Sequence, residues 1–434
     1  MTTVTGNPAE RVTHVLVGYG AFIMAELDRL LPEASVLILE EPHVIDARNI
    51  RTAASQYRCV AEVRAAPTQD ELNAGDLART VVRPPRVRAV LPAVEYGVVA
   101  AAVLADAWGL PGGGVRAARI LRDKRELRRT AAAHALAQPA FAEATGPADV
   151  RALRARHGGE CVLKPANRQA SLGVVLLGPD DDAAAAWHHT VTADEPRLRV
   201  NYPDAARYLV EERLHGPEVS VEALVHQGTI GFLNITAKDV LPGRHPVELG
   251  HTVPAPPGEA DDTLRTAMAG LVDALGFATG ILHAEWVLTR GHPHLIECAG
   301  RLPGDRIHSL IDLAYGGDGI LADLLALMAG EGPVPARTAR RGAAITFLST
   351  PAAQGPDTVV HSVTGTDKAE QLDGVEEVSV SAVPGSAVVA TTSSWQRAGY
   401  VIATGTGPTE AARTARTAAS LITVTAGAPA ATHD

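Results

Sequence analysis

The sequence predicts a protein that combines the α/β and α+β classes, and three stretches carry that prediction. Residues 13–40 read as strand, glycine turn, helix and strand, which is how a doubly wound α/β domain begins. From 160 to 330 short apolar strands dominate, with helical patterns only at 262–275 and 306–330, which is typical of α+β structure. From about residue 335, short strands precede one closing helix and predict an appended α/β cap.

Composition limits the classes of function. The 434 residues are enough for two or three domains, and 46% hydrophobic with 20% charged residues favours a globular protein. A net charge of -10 without a long basic run argues against a nucleic-acid partner. Three scattered cysteines are too few for a disulfide framework or a zinc site. No secretory signal is evident and every apolar run is shorter than the ~18 residues of a membrane span, so we expect a cytoplasmic protein without a membrane partner.

The first strand, HVLVGYG, ends in Gly18 and Gly20 before the helical stretch AFIMAELDRLL. These glycines match half of a dinucleotide-binding fingerprint, and Glu40 closes the second strand where a ribose-binding acid would lie. The same glycines also permit close helix packing, so both interpretations remain open. Further along, the cluster LPGGG at 110–114 predicts a boundary near residue 112.

Two lysines stand out in the middle of the chain. Lys124 lies in the basic helical pattern ARILRDKRELRRTAAAH, whose simplest interpretation is a helix face in solvent. Lys164 lies within the apolar strand CVLKPA, where an unpaired buried ammonium would cost several kcal/mol. Lys164 therefore either turns to solvent or meets an anion.

Residues 280–305 predict a β-hairpin, because two apolar runs flank the turn-like RGHP at 290–293. If the turn centres on Gly291, Glu285 lies opposite Glu297. Like charges at directly opposed positions, about 5 Å apart, are destabilising. Something positive should therefore lie between the two carboxylates.

Period-two alternation defines the face on which these glutamates lie. One strand contributes His283, Glu285 and Val287, opposite Leu295, Glu297 and Ala299. Neither strand carries a lysine or arginine on that face, so a divalent cation is the economical partner, and carboxylates without cysteine suit Mg²⁺. The alternative is a pair of solvated glutamates on an exposed sheet face.

Arg301 follows Glu297 by four residues, where Gly300 and then Pro303 and Gly304 must end the strand. A guanidinium beside a carboxylate site can hold an anionic reactant or the oxyanion of a tetrahedral intermediate. It can equally form a structural salt bridge. The residues alone leave both roles open.

The stretch YLVEERLHGPEVSVEALV at 208–225 carries a family resemblance. Together with KPANRQASLGV at 164–174 and the two glutamates, it is similar to the ATP-grasp superfamily, whose members join a carboxylate to an amine or a similar nucleophile at the expense of ATP. The motifs occur in order over about residues 112–330. The resemblance implies an ATP-grasp fold with three domains: a doubly wound pre-ATP-grasp domain at 1–111, an ATP-grasp domain of two subdomains at 112–333, and a cap at 334–434.

The resemblance implies roles for residues that match its motifs. Lys124 and Lys164 look like the two lysines that contact the nucleotide phosphates, and the loop at 166–173 looks like their flexible cover, in which Ser171 would add a hydroxyl donor. Lys238, at the end of LNITAK, looks like a third lysine on the phosphate side, with a catalytic role alongside Ser171. The adenine hinge and the ribose-binding acid are implied at Glu211, Glu212, Leu214 and Glu218.

The resemblance also implies the metal. Glu285 and Glu297 are the expected ligands of Mg²⁺, with Mn²⁺ as a substitute. Ala299 stands where an asparagine often binds a second ion, which puts a filled second metal site in doubt.

Within the superfamily, three stretches look most like the L-amino-acid ligase branch: ELGHTVPAP at 248–256, ECAGRLPGD at 297–305 and GYVIATGTGPTEAARTARTAASLI at 399–422. Enzymes of this branch make dipeptides or related amides. Arg301 would hold the substrate carboxylate and stabilise developing charge, while Gly304 and Asp305 would lie near the incoming amine. Glu248 and His251 are further residues of the expected pocket.

The expected function is an ATP-dependent carboxylate–amine ligase that forms a dipeptide-type amide through an acyl phosphate, in natural-product biosynthesis. Its partners would be small-molecule carboxylates and amines, with amino acids favoured, and a homodimer is compatible with the resemblance. One alternative is another ATP-grasp ligase, of the purine-pathway or carboxylase-like kind. The other is a sensor that binds ATP without ligating anything.

Overall fold

The computed structural model describes residues 10–200, 202, 206–258, 260–350, 355, 357–388 and 392–428. Residues 1–9, part of the stretch in which no secretory signal was predicted, lie outside these ranges. Within the described ranges, no helix has the length and apolar character needed to cross a membrane.

The amino-terminal part of the chain folds into a parallel sheet with its helices. Its elements are β1 (His14–Val17), α1 (Ala21–Leu30), β2 (Val36–Glu40), α2 (Pro42–Ala47), α3 (Ile50–Ala54), β3 (Val60–Ala65), α4 (Ala74–Thr80), β4 (Ala89–Pro92) and α5 (Val98–Ala107). The strand order is β3-β2-β1-β4, and all neighbours are parallel. Every residue of β1 and β2 is buried, as expected of parallel strands covered by helices.

The turn after β1 explains the two glycines. Gly18 has a φ of +89°, and a side chain there would meet the Cγ2 atom of Val94 at 2.1 Å. The buried carboxylate of Glu40 accepts hydrogen bonds from the backbone N–H groups of Tyr19 (2.9 Å) and Glu41 (2.8 Å). Because Glu40 holds the turn itself, the structure favours the close-packing interpretation over a dinucleotide site.

A second, antiparallel sheet follows. Its elements are α6 (Val115–Arg122), α7 (Lys124–Ala133), β5 (Phe141–Ala144), α8 (Pro147–Arg156), β6 (Cys161–Pro165), β7 (Val175–Leu177), α9 (Ala183–Thr192) and β8 (Tyr208–Glu212). The strand order is β5-β8-β6-β7. Asp123 caps α7 by accepting a hydrogen bond from the backbone N–H of Arg125 (3.0 Å), which sets Lys124 at the start of the helix.

The largest sheet has eight antiparallel strands. The remaining strands are β9 (Glu218–His226), β10 (Thr229–Val240), β11 (Glu248–Val253), β12 (Gly280–Thr289), β13 (His292–Ala299), β14 (Gly342–Leu348), β15 (Val359–Thr364), β16 (Val375–Val380), β17 (Gly399–Gly405) and β18 (Thr423–Gly427). The remaining helices are α10 (Asp261–Leu275), α11 (Ile307–Tyr315), α12 (Ile320–Met328), α13 (Thr366–Glu370) and α14 (Pro408–Leu421). The order is β13-β12-β9-β10-β11-β14-β17-β16, while β15 and β18 pair separately.

The large sheet continues across the boundary predicted at 333/334. This position lies between α12 and β14, and β14 pairs with β11. A continuous cluster of buried apolar side chains also joins Ile38 of the parallel sheet, Leu310 of α11 and Ile345 of β14. The division into three domains therefore stays a prediction, while the shared core holds the parallel sheet against the large one.

Candidate active site

Two cavities of about 310 Å³ and 440 Å³ adjoin at Lys238, Glu248 and Glu285, which line both of them. The first lies between β6 and β8 on one side and β9, β10, β12 and β13 on the other, and we call it the inter-sheet cavity. The second includes Arg301 and residues of β11, β14 and β17, and we call it the Arg301 cavity.

The structure brings the predicted site residues together around these two cavities. The inter-sheet cavity is lined by all the predicted nucleotide-binding and metal-binding residues: Lys124, Lys164, Ser171, Glu211, Glu212, Leu214, Glu218, Lys238, Glu285 and Glu297. The Arg301 cavity is lined by all the predicted substrate-binding residues: Glu248, His251, Arg301, Gly304 and Asp305. The individual roles stay predictions.

Lys164 meets an anion that belongs to the protein. Its Nζ lies 2.7 Å from Oε2 of Glu211, and Nε of Arg128 lies 2.8 Å from the other oxygen of the same carboxylate. Burial opposes ionisation of Glu211, yet the two cations lower the pKa of its carboxyl to about 2. Two cations and one carboxylate leave a net positive charge beside the cavity. The carboxylate of Glu211, part of the predicted adenine hinge, is therefore engaged by Arg128 and Lys164.

We expect Glu211→Gln to lower the free energy of unfolding by about 3–5 kcal/mol, because it leaves Lys164 and Arg128 buried without a counter-charge. Chemical denaturation at neutral pH measures this loss. Glu143, whose side chain is 40% exposed and which pairs with two arginines, provides the matched control. Glu143→Gln should cost no more than about 1 kcal/mol, and an equally small effect of Glu211→Gln would contradict the expectation.

The Glu211 carboxylate also determines how the stability of the fold changes at acid pH. The pKa of Glu211 is about 2 in the folded protein against an ordinary value of 4.5. Its stabilisation is therefore fully present above pH 4.5 and is lost as the pH falls towards 2. Denaturation at a series of pH values should show a steeper loss in the wild type than in Glu211→Gln, and parallel curves would argue against the depressed pKa.

The predicted hairpin forms with one local difference. Arg290 and Gly291 make a two-residue turn with φ values of +52° and +80°, typical of a type I′ hairpin. A bulge between Glu285 and Trp286 then shifts the register by one residue, so Glu285 pairs with Glu297, as predicted.

The predicted face of the hairpin is wrong beyond the bulge. Val287 pairs with His294 and not with Leu295, because the extra residue of the bulge reverses the alternation towards the turn. His283 still pairs with Ala299, as predicted. The error does not reach the two glutamates.

Lysines from other elements compensate the two glutamates. Lys124, at the start of α7, places its Nζ 2.8 Å from Oε1 of Glu297. Lys238 of β10 places its Nζ 3.0 Å from Oε1 of Glu285 and 3.4 Å from Oε1 of Glu248. Despite burial, Lys238 holds the pKa of Glu285 well below its ordinary value. Because these cations come from α7 and β10, the lack of a lysine or arginine on the two hairpin strands does not by itself require a metal.

The two carboxylates nevertheless fit the predicted ion. Both line the inter-sheet cavity with hard oxygen donors, and Mg²⁺ usually sits on one or two carboxylates plus substrate phosphates. In the part of the chain that the structure describes, no three His, Cys, Asp or Glu side chains converge on a metal position. Glu285 and Glu297 therefore suit an ion that is held jointly with a phosphate ligand.

The loop at 166–173 is anchored to both sides of the inter-sheet cavity. The Ser171 hydroxyl donates to the carbonyl of Pro246 (3.0 Å), and Nζ of Lys124 donates to the carbonyl of Arg168 (2.9 Å). Ala170 and Ser171 have φ values of +55° and +56°, which residues other than glycine seldom adopt. Because the Ser171 hydroxyl has a protein acceptor, its contact with a phosphate stays a prediction.

Arg301 is fixed by a residue that the sequence analysis did not single out. Its Nε lies 2.7 Å from Oε2 of Glu95, which also pairs with Arg122 at 2.8 Å. Burial opposes ionisation of Glu95, but Arg301 and Arg122 lower the pKa of its carboxyl to about 2. The Arg301 side chain is 17% exposed and lines its cavity, so the salt bridge orients a guanidinium that still borders open space.

Arg397 is a second residue that sequence reasoning missed. It joins two predicted pocket residues, with Nη2 2.8 Å from Oε2 of Glu248 and Nη1 2.8 Å from Oδ1 of Asp305. Its guanidinium stacks 3.7 Å from the ring centre of Phe347. Asp305 also lies 3.2 Å from Nε2 of His251. Arg397 therefore sets the geometry of the Arg301 cavity.

His283 belongs to a buried network behind Glu285. Its Nδ1 lies 2.9 Å from Oε1 of Glu222 and its Nε2 3.4 Å from Oε1 of Glu285. Glu222 is fully buried and accepts hydrogen bonds from Ser220 and Thr236, both at 2.7 Å. The network orients Glu285 through His283, which itself lines the Arg301 cavity.

Two family models match the chain. The ATP-grasp domain matches residues 158–309, and L-amino acid ligase C-terminal domain 2 matches residues 355–426. The chain therefore contains an ATP-grasp domain. The second match is to a domain of L-amino acid ligases, and the two matches together confirm the resemblance found in the sequence.

Solved structures confirm the fold of this ATP-grasp protein. The L-amino acid ligase from Bacillus licheniformis has a TM-score of 0.76 and 19% sequence identity, with 96% of this chain and 99% of that one covered. Phosphoribosylglycinamide synthetase from Anaerococcus prevotii has a TM-score of 0.66 and 12% identity, with 95% and 99% covered. At these identities the similarity establishes the ATP-grasp fold.

Curated relatives are similar over part of their length. A protein of uncharacterised function from Sinorhizobium fredii, y4rH, is 26% identical over 298 residues, which is 68% of this chain and 59% of that protein. A D-alanine–D-alanine ligase from Cupriavidus metallidurans is 26% identical over 224 residues, which is 50% of this chain and 66% of that ligase. The ATP-grasp chain thus spans less than two thirds of the length of these two relatives.

Proposed function

We propose that this protein is an ATP-dependent carboxylate–amine ligase that joins two amino acids through an acyl phosphate and releases ADP and phosphate. The observation that carries the proposal is the junction of the two cavities at Lys238, Glu248 and Glu285. A γ-phosphate at this junction would lie next to a carboxylate in the Arg301 cavity. The match to an L-amino acid ligase domain supports amino acids as substrates.

In the first proposed step, an oxygen of the donor carboxylate attacks the γ-phosphorus of ATP, the bond to ADP breaks and an acyl phosphate forms. Lys124, Lys164 and Lys238 line the inter-sheet cavity and offset the phosphate charge. When held by Glu285 and Glu297, Mg²⁺ would neutralise further charge on the phosphates.

In the second step, the amine nitrogen of the acceptor attacks the acyl carbon, gives up a proton, and the bond from that carbon to the phosphate oxygen breaks. The guanidinium of Arg301, fixed by Glu95, stabilises the oxyanion that develops. In this step the loop at 166–173 shields the acyl phosphate from water. This shielding is needed because an exposed acyl phosphate hydrolyses. No protein nucleophile is required.

The proposal is tested by phosphate release from ATP and Mg²⁺ across a matrix of paired amino acids, with mass spectrometry on the positive wells. A pair-dependent signal with a product one water lighter than its two substrates is the expected result. Release that requires a ribonucleotide or bicarbonate would replace the proposal with a purine-pathway or carboxylase-like ligase. ATP binding without release for any substrate would replace it with a sensor.

A further inference from the structure

The two cavities differ in their aromatic content. Phe22, Phe347, Trp395 and Tyr400 line the Arg301 cavity. The whole chain contains only 5 Phe, 4 Trp and 7 Tyr. In contrast, no Phe, Trp or Tyr occurs among the described residues that line the inter-sheet cavity. Aromatic surface is therefore concentrated where the proposed function places the amino acids.

Two of these rings expose apolar surface. Phe22 is 38% exposed and Trp395 is 58% exposed. Of the large hydrophobic side chains exposed in the described ranges, only these two are aromatic. Exposed apolar surface on the wall of a concave site is typical of a ligand-binding surface.

The four aromatic residues come from separate elements. Phe22 lies in α1, Phe347 in β14 and Tyr400 in β17, while Trp395 lies in the 3₁₀ helix Ser394–Gln396. Phe347 and Tyr400 are each covered by an arginine, but no ring or cation partner of Trp395 occurs in the part of the chain that the structure describes. Trp395, which is 58% exposed, therefore keeps surface that a ligand can cover.

The same cavity is also lined by charged side chains. Lys238 and Glu285 mark the junction with the inter-sheet cavity, and Arg301 and Asp305 also line the wall. A ligand that satisfies both the charged and the aromatic side chains has a charged head and a large apolar body. Among amino acids this combination describes the aromatic ones best, because a flat ring stacks on tryptophan at little conformational cost.

We propose that the Arg301 cavity selects an amino acid with a large aromatic side chain, which packs against Trp395 and Phe22 while its charged groups lie towards Arg301 and Asp305. This inference rests on the proposed ligase function and specifies one of its two substrates. It makes Trp395 and Phe22 specificity-determining residues.

The test compares L-phenylalanine with L-alanine, each paired with every other amino acid, and measures kcat/KM for phosphate release. Wild-type protein is expected to favour L-phenylalanine by at least about tenfold, since each buried methylene discriminates by about tenfold or more. Trp395→Ala and Phe22→Ala should each lower that ratio about tenfold, and Trp395→Phe should restore most of it. Val82, which is 78% exposed and lines neither cavity, provides the control Val82→Ala, which should leave the ratio unchanged.

The outcomes separate this inference from the proposed function. Equal or better turnover of L-alanine, or an unchanged ratio in Trp395→Ala, would overturn the inference while the ligase proposal stands. If no pair releases phosphate, the ligase proposal fails. Calorimetric titration of L-phenylalanine and L-alanine, with a non-hydrolysable ATP analogue present, then shows whether the Arg301 cavity prefers the aromatic amino acid. Tighter binding of L-phenylalanine that Trp395→Ala abolishes would then support it, and equal binding of the two amino acids would overturn it.

Discussion

Replacing Glu297 with glutamine is expected to abolish ADP formation while the fold is retained. Glu297 faces the inter-sheet cavity directly opposite Glu285, and its carboxylate pairs with Lys124. Glutamine keeps the shape but removes the negative charge that would hold Mg²⁺ against the phosphates. Loss of that charge stabilisation, worth several kcal/mol, should reduce ADP formation by about three orders of magnitude.

Coupled measurement of ADP release tests this expectation, with the melting temperature as a check on the fold. Glu331, on the surface and paired with Arg88, provides the control, and Glu331→Gln should leave both readings unchanged. Normal ADP formation by folded Glu297→Gln would refute the metal assignment. A fall in activity that tracks a fall in melting temperature would instead indicate that Glu297 acts through its pair with Lys124.

The sequence predicts the site well where a motif is local. The opposed pair Glu285 and Glu297 follows from one hairpin, and the residues of the ATP-grasp motifs line two adjoining cavities. The fold class and the resemblance to the ATP-grasp superfamily are confirmed for the same reason, since ordered motifs over about 200 residues constrain the architecture strongly.

The residues that the sequence did not reveal act across long separations. Glu95 reaches Arg301 over 206 positions, and Arg397 reaches Glu248 over 149 positions. Each lies in an ordinary apolar or polar context, without a spacing that marks it. A buried counter-charge can only be identified once the elements that bring it close are known. The same limit applies to Lys124 and Lys238, which lie beside the hairpin glutamates but belong to other elements.

Each lysine predicted to contact phosphate is paired with a glutamate in this structure. The pairs are Lys124 with Glu297, Lys164 with Glu211, and Lys238 with Glu285. This arrangement keeps buried charges compensated without a ligand, as buried ions require. On the proposed function, binding of a nucleotide with its metal ion would break two of these pairs at once. The phosphates would pair with the lysines, and Mg²⁺ would bind Glu285 and Glu297. ATP and the metal should therefore bind cooperatively.

Arg301→Ala is expected to reduce product formation by about 10²–10³-fold while ATP affinity changes by less than about threefold. The guanidinium lines the Arg301 cavity and not the inter-sheet cavity. Its loss should therefore remove oxyanion stabilisation and carboxylate binding but few contacts to the nucleotide. Arg301→Lys should recover little activity, because an ammonium cannot reproduce the fork that both Glu95 and a carboxylate require. Arg306→Ala, which removes another arginine of the same cavity, separates a specific role from general charge.

Single-turnover product formation and equilibrium ATP binding make the comparison. Equal losses in the two measurements would show that Arg301 supports the structure of the site and takes no part in the reaction, whereas a loss confined to product formation fits a guanidinium that Glu95 aims at the reacting carbonyl.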